Sequence, residues 1–290
     1  MIQDLDFGKL DNQYLPLDIN DEDFVVCVCG SKLLAACDEN DILTLPTWKQ
    51  VREWSSAEDW KLWTDCPVKY AFNMQGQNYF LWMGEAGQPG DDRFKYEGTR
   101  YYRQLPSKNI CFALMTAWHL FVWYRANRFC GSCGHPTVHD AKERMMRCPE
   151  CGNMIFPRIS PACIIALTNG DKIMLAQHAA LKTKRYGLLA GFIEIGETAE
   201  EAVAREVMEE VGLKVKNIRY YKTQPWGIVG NLSLGYFCEL DGDDQVSLDE
   251  NELASATWHH RDSIPPEAAD DGISLTREMI RVFSEGKEPK

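Results

Sequence analysis

One stretch of 23 residues constrains this chain more than any other: Gly191-Phe-Ile-Glu-Ile-Gly-Glu197-Thr-Ala-Glu-Glu-Ala-Val-Ala-Arg205-Glu206-Val-Met-Glu209-Glu210-Val-Gly212-Leu213. It reads G-x5-E-x7-R-E-U-x-E-E-x-G-U, where U is aliphatic. Thr198 followed by Glu201 is a capping box, a hydroxyl at the helix entrance with a carboxylate three residues on that returns to it. A helix is therefore expected to begin at about Ala199 and to stop at Gly212, a residue suited to the left-handed turn past a helix end. On that helix Glu206, Glu209 and Glu210 fall at i, i+3 and i+4 and project from one face. Ala202, Val203, Val207 and Val211 supply an apolar stripe for the opposite side.

Like charges at that spacing repel one another, and the cluster makes sense under a cation. Carboxylates are hard oxygen ligands of the kind Mg²⁺ or Mn²⁺ takes. Three glutamates alone would be read as a solvated acidic face. With Gly191, Glu197, Arg205 and Gly212 all in register, a metal helix is the better reading. The whole pattern resembles the Nudix box, the signature of enzymes that hydrolyse nucleoside diphosphates linked to another group. That resemblance implies catalytic roles for Glu197, Arg205, Glu206, Glu209 and Glu210, with an Arg205–Glu197 contact orienting the carboxylates. It implies Glu206 and Glu210 as the main Mg²⁺ or Mn²⁺ ligands and Ala190 as a backbone-carbonyl ligand.

A second pattern precedes the first. Cys130-Gly-Ser-Cys133-Gly and Cys148-Pro-Glu-Cys151-Gly make C-x2-C-x14-C-x2-C. Four thiolates close a tetrahedral site and leave no open position, so a Zn²⁺ held there is structural. His135 and His139 lie between the pairs as competing ligands, and two metal-free reduced pairs are the other alternative. The remaining cysteines (Cys27, Cys29, Cys37, Cys66, Cys111, Cys163, Cys238) form no disulfide framework, which points to a reducing cytoplasm.

Composition bounds the rest. The chain has 290 residues, long enough for more than one domain, and is 45% hydrophobic and 26% charged, ordinary for a globular protein. The opening Met1-Ile-Gln-Asp-Leu-Asp has neither a basic region nor an apolar core, so no signal peptide is expected. The apolar run from Ile110 to Tyr124 contains His119 and is too short for a membrane span. A net charge of −12 argues against general affinity for a phosphate backbone, though bound cations would still admit an anionic substrate.

Along the chain, strand-like fragments such as Phe24–Cys29 and Gln77–Met83 sit among polar turns. The segment from Thr47 to Asp65 carries Trp48, Trp54, Trp60 and Trp63, is expected to be partly helical, and reads as core. Asp91-Asp92-Arg-Phe-Lys reads as a loop, and 109–126 as a helix leading into the ribbon. Beyond Pro157, strands are expected at 162–168, 172–177, 215–221, 232–240 and 256–260, with a hairpin turn at Asn169-Gly170-Asp171 and a closing amphipathic helix around Leu275, Met279, Val282 and Phe283. The expected fold class is α+β: a β-rich N-terminal domain over 1–126 ending in a helix, a four-cysteine zinc ribbon over 127–156, and an α/β/α sandwich of Nudix type over 157–290.

The domain order and Thr223-Gln224-Pro225-Trp226 together resemble the NADH pyrophosphatase family, which carries Ser-Gln-Pro-Trp followed by Pro-Phe-Pro-x-Ser at this place. Here Thr223 replaces Ser, Gly227-Ile228-Val229 replaces Pro-Phe-Pro, and Asn231 stands where Ser is expected. The resemblance implies substrate contacts at Gln224, Pro225, Trp226 and Asn231, base stacking by Phe192 and Phe156, further contacts at Thr276 and Arg103, and a late metal carboxylate at Glu252. A simple core role for either phenylalanine and a surface role for Glu252 are the alternatives. His259-His260 is read as structural, because neighbouring strand residues face opposite ways. The implied activity is metal-dependent cleavage of NADH or NAD⁺ to nicotinamide mononucleotide and AMP, with NAD-capped RNA 5′ ends as a further substrate, by a homodimer. Preference for ADP-ribose, FAD or a dinucleoside polyphosphate, and a zinc-ribbon RNA-binding protein without activity, are the competing expectations.

Overall fold

The computed structural model describes residues 1–5, 10–55, 67–84, 87–179 and 185–289; Trp60, Trp63 and Cys66 lie outside them. The chain forms two compact units, one of residues 2–158 with 227–230, the other of Met1, 159–226 and 231–290.

In the first unit, strands β1 (Phe24–Cys29), β2 (Lys32–Cys37), β3 (Leu43–Thr44), β4 (Val68–Met74), β5 (Gln77–Trp82) and β6 (Phe94–Gly98) build one sheet in the order β3-β2-β1-β5-β4, with β6 on β2. β1 and β5 run parallel and the other neighbours antiparallel. One face of this sheet buries Val25, Cys27, Leu34, Phe80 and Trp82 under helix α1 (Trp48–Trp54), whose Trp48 ring lies 5.9 Å from that of Trp82. Trp48 and Trp54 are thus packing groups. Of the segment read as a loop at 91–95, Phe94 and Lys95 instead open β6, because Phe94 pairs with Ala36 and is buried in this core. A short helix α2 (Thr99–Tyr102) leads to α3 (Lys108–Ala126), which buries Leu114, Ala117, Phe121, Trp123 and Tyr124 among others. Strands β7 (Val138–His139), β8 (Met146–Arg147) and β9 (Met154–Ile155) form the antiparallel ribbon. His139 accepts or donates through Nε2 to the Tyr124 hydroxyl at 2.8 Å, and Arg144 donates to the Ala71 carbonyl. These bonds place the ribbon in one unit with the N-terminal sheet.

In the second unit the strands are β10 (Ser160–Asn169), β11 (Lys172–His178), β12 (Leu189–Phe192), β13 (Val215–Trp226), β14 (Asn231–Leu240) and β15 (Leu253–His260), in the order β13-β14-β10-β11-β15 with β12 on β10. β10 and β14 are parallel at the centre. Strand alternation sends Cys163, Ile165 and Leu167 of β10 toward helix α4 (Ala199–Val211), where Ala202, Val203, Val207 and Val211 meet them. It sends Ala166 and Ile164 toward helix α5 (Leu275–Ser284), against Leu275, Met279, Ile280 and Phe283. One helix on each sheet face makes the expected α/β/α sandwich. β13 extends through Trp226 instead of ending near Tyr221. It is an edge strand, where Pro225 is tolerated without a ladder donor, and two register shifts bend it. Among the described residues no helix is long and apolar enough to cross a membrane.

Candidate active site and metal centres

Helix α4 is built as its ends dictate. Thr198 Oγ1 accepts from the Glu201 N–H at 3.2 Å while the Thr198 N–H donates to Glu201 Oε2 at 2.8 Å. Gly212 closes the helix at φ +70°. At about 100° per residue, Glu206 and Glu210 fall beside Val203 and Val207 on the flank that enters the core, and only 9% and 2% of their surfaces are exposed. The Glu209 side chain is mostly exposed. The three glutamates expected together on one face opposite the apolar stripe are therefore divided, Glu206 and Glu210 buried beside that stripe and Glu209 mostly exposed.

Gly191 on β12 makes that pocket possible. A Cβ there would stand 1.8 Å from Glu206 Cδ, so any side chain would displace the carboxylate. Arg205 ties the ring of acids together. Its Nε and Nη2 hold Glu197 Oε1 and Oε2 at 2.8 and 2.9 Å, Nη2 also reaches the Phe192 carbonyl at 2.9 Å, and Nη1 reaches Glu206 Oε1 at 2.7 Å and Glu209 Oε2 at 2.9 Å. The two-point contact with Arg205 holds the Glu197 carboxyl down at about 2.

Burial acts the other way deeper in. It raises Glu206 and pushes Glu210 up to about 8, aided at Glu210 by the charges of Glu206, Glu252 and Asp249 and opposed by the Ala190 N–H that bonds its carboxylate. Glu210 Oε2 is buried with no hydrogen-bond partner. A buried carboxylate oxygen without a partner, on the same helix flank as Glu206, fits a hard divalent cation, which would supply the missing partner. Glu252 lies on the turn entering β15, with its N–H on the Asp249 carbonyl at 3.2 Å and its charge felt at both Glu206 and Glu210. Asp249, missed in the sequence, is tied to the end of α4 by its N–H to the Glu210 carbonyl at 3.0 Å, and its charge adds to the upward push on Glu210; the Asp-Glu-Asn spacing of a tight turn was the signal available.

The other residues tied to substrate are placed as follows. Phe192 is 53% exposed at the end of β12 and Phe156 is 52% exposed past β9, in the other unit. Pro225 and Trp226 end β13, paired with Leu232 and Asn231. Gln224 is only 2% exposed; its Nε2 donates to the Ile273 carbonyl at 2.7 Å and its Oε1 accepts from the Leu275 N–H at 2.8 Å. Thr276 is half-buried in the first turn of α5. Arg103 ends α2, its N–H on the Thr99 carbonyl at 3.2 Å and its charge beside Cys111. In the substituted loop, a Cβ on Gly227 would lie 2.4 Å from the Met115 carbonyl oxygen, and Trp118 Nε1 donates to the Ile228 carbonyl at 3.1 Å. His259 and His260 diverge, one edge-on to Tyr186 at 5.3 Å and the other accepting the Asp262 N–H.

In the ribbon, the ligand atoms of Cys130, Cys133, Cys148 and Cys151 all lie within 4.8 Å of one another. Cys130–Cys151 and Cys133–Cys148 sulfur separations are 3.6 and 3.4 Å, close to the edge of about 3.8 Å that a tetrahedron with Zn–S bonds of 2.3 Å requires. Each knuckle is closed by an N–H of the following glycine, Gly134 to the Cys130 carbonyl and Gly152 to the Cys148 carbonyl, with φ of +76° and +74°. The Ser132 N–H holds the Cys130 thiol down at about 6 and the Cys151 N–H lowers Cys148, while the sulfur contacts with those two keep Cys133 and Cys151 raised, so Cys130 and Cys148 are the readier thiolates of the metal-free site. His139 is engaged elsewhere, between Tyr124 and the Asp140 carbonyl. The site fits a structural zinc ion and needs no histidine.

Comparison with known proteins matches these two sites. Residues 157–281 match the NUDIX domain model and residues 125–156 the NADH pyrophosphatase zinc ribbon domain model. The NAD-capped RNA hydrolases NudC of Salmonella paratyphi C and Citrobacter koseri are each 44% identical over 143 residues, 49% of this chain and 55% of theirs. The chain thus spans about half the length of the curated relatives it matches. A NUDIX hydrolase structure from Nitrosomonas europaea is 22% identical, with TM-score 0.47, over 55% of this chain and 91% of that one. Residues 125–281 thus carry, in order, a zinc ribbon of the NADH pyrophosphatase type and a NUDIX domain.

Proposed function

We propose that this protein hydrolyses the pyrophosphate of NADH or NAD⁺ to nicotinamide mononucleotide and AMP, and removes NAD caps from RNA 5′ ends. The observation that carries the reading is the buried acid pocket behind Gly191, with its orphaned Glu210 oxygen, in a chain whose ribbon matches that of NADH pyrophosphatases. Relatives named as NAD-capped RNA hydrolases support the substrate class.

Glu206 and Glu210, with Glu252, Glu209 and the Ala190 carbonyl, are the groups that would hold Mg²⁺ or Mn²⁺. Such an ion supplies charge neutralisation at the diphosphate and a more acidic water. Arg205 keeps Glu197, Glu206 and Glu209 in fixed relation, so little reorganisation is needed during reaction. One of these carboxylates takes the proton of the attacking water, and phosphorus–oxygen cleavage releases the two mononucleotides. Phe192 and Phe156 offer exposed rings for base stacking, Trp226, Pro225, Asn231, Thr276 and Arg103 are the further substrate groups, and Gln224 acts through the backbone it binds. A homodimer in a reducing cytoplasm is the assembly and setting we assign, in keeping with free thiols among the described residues.

The Gly227-Ile228-Val229 loop supports a second reading, in which ADP-ribose, FAD or a dinucleoside polyphosphate is preferred. Incubation with Mn²⁺ and equal NADH, ADP-ribose and NAD-capped RNA, with products identified by mass, separates the two. Reduced nicotinamide mononucleotide plus AMP, lost in Glu210→Gln, supports the first. Faster ADP-ribose cleavage supports the second, and salt-sensitive RNA binding without hydrolysis removes both.

A further inference from the structure

We propose that Asp249 is a positioning residue that registers Glu252 against the acidic helix and so sets the affinity of the pocket for its divalent cation. This rests on the reading that Glu252 shares that cation with Glu206 and Glu210.

The geometry begins at the end of α4, whose last carbonyls have no partner within the helix. The Ser247 N–H takes the Val211 carbonyl at 2.9 Å and the Asp249 N–H takes that of Glu210 at 3.0 Å. The approach is close: a Cβ on Gly212 would stand 2.8 Å from Ser247 Cβ. Residues 247–249 are thereby stapled to the backbone that carries Glu210.

From that staple Asp249 builds the turn to Glu252. Its carbonyl accepts the N–H groups of Glu252 at 3.2 Å and Leu253 at 3.0 Å. Its Oδ1 accepts the Asn251 N–H at 2.9 Å and Asn251 Nδ2 at 2.8 Å. Beyond the turn, the Glu252 carbonyl accepts the Ala179 N–H at 2.9 Å and Leu253 is fully buried. One residue is therefore bonded on one side to the backbone of Glu210 and on the other to the backbone of Glu252. An exposed glutamate side chain has many rotamers, and its reach to a cation depends on where its Cα is fixed. Asp249 uses Oδ1 as a turn acceptor, a task that a neutral amide performs equally well.

The test uses the full, zinc-loaded chain and measures Mn²⁺ binding without substrate, by the EPR signal of free Mn²⁺, for wild type, Asp249→Ala, Asp249→Asn and Glu252→Gln. Asp249→Ala is expected to weaken Mn²⁺ roughly tenfold, as loss of a supporting group around a metal ligand does, and Asp249→Asn to bind as wild type does. Glu252→Gln is expected to lose at least as much, and the Asp249→Ala/Glu252→Gln double variant no more, since the two act as one unit. Equal loss in Asp249→Asn and Asp249→Ala would overturn the proposal in favour of charge. Unchanged Mn²⁺ affinity in Asp249→Ala would also overturn it. Wild-type affinity in Glu252→Gln would instead remove the reading of Glu252 as a ligand. If Asp249→Ala does not fold, Asn251→Ala removes only the Nδ2 donor: a loss of roughly threefold supports the proposal, and no change overturns it.

Discussion

Gly191 and Glu206 occupy each other's space: the absent side chain of the first is where the carboxylate of the second lies, 1.8 Å from an imagined Cβ to Glu206 Cδ. Glycine at 191 is required here for close approach, and not for an unusual φ. Gly191→Ala should fold, because the displaced group is the end of a flexible side chain, yet lower metal-dependent hydrolysis at least ~100-fold, the scale lost when one preorganised group is removed. Steady-state kinetics beside a thermal melt checks this; activity within a few-fold of wild type would show that Glu206 can work from another rotamer.

Arg205 joins Glu197, Glu206, Glu209 and the Phe192 carbonyl with one guanidinium. Lysine keeps the charge but cannot reproduce the planar fork. Arg205→Lys should therefore lower kcat roughly 10- to 100-fold with KM little changed, since positioning and not substrate binding is lost. A rise in KM alone would mean that Arg205 touches substrate.

Glu210 links stability to pH in the metal-free protein. Its carboxyl titrates at about 8 when folded against 4.5 for an ordinary glutamate. Folding thus favours the protonated form: no stability is lost below pH 4.5, loss grows as pH rises, and it is complete above about 8. Metal-free Glu210→Gln should match wild type at pH 4.5 and melt higher at pH 8, by roughly 2–4 °C for each kcal/mol relieved. Melting curves at both pH values check it. Equal melting points at pH 8 would mean that burial does not penalise the charge.

The four thiols predict one zinc per chain. Cys148→Ser, at the fully buried sulfur, should lose zinc by elemental analysis and become sensitive to proteolysis between 127 and 156, because a structural zinc site contributes folding free energy directly. Retention of a full equivalent would place the metal elsewhere.

Gln224 both donates and accepts across the start of α5. Glutamate cannot donate to the Ile273 carbonyl, so Gln224→Glu leaves a buried charge facing an oxygen and should cost about 1–3 kcal/mol or more. Chemical denaturation measures this, and hydrogen exchange at 273–275 should rise with it. A variant with raised KM and unchanged stability would make Gln224 a direct substrate contact.

By itself the sequence determined the local objects. The capping box and Gly212 set both ends of α4, the cysteine spacing set a closed four-sulfur site, and apolar runs between turns set the strands of the second sheet. These follow from interactions within a few residues, and so they are written in spacing. Only the tertiary structure decided that Glu206 and Glu210 are buried while Glu209 is not, because the direction of the core chooses among side chains that share a helix face. It decided that Gly191 makes room for Glu206, that Gln224 bonds the backbone at 273 and 275, and that Asp249 ties α4 to Glu252. Each of these joins residues distant in sequence. Their partners are chosen by packing, which no local pattern encodes.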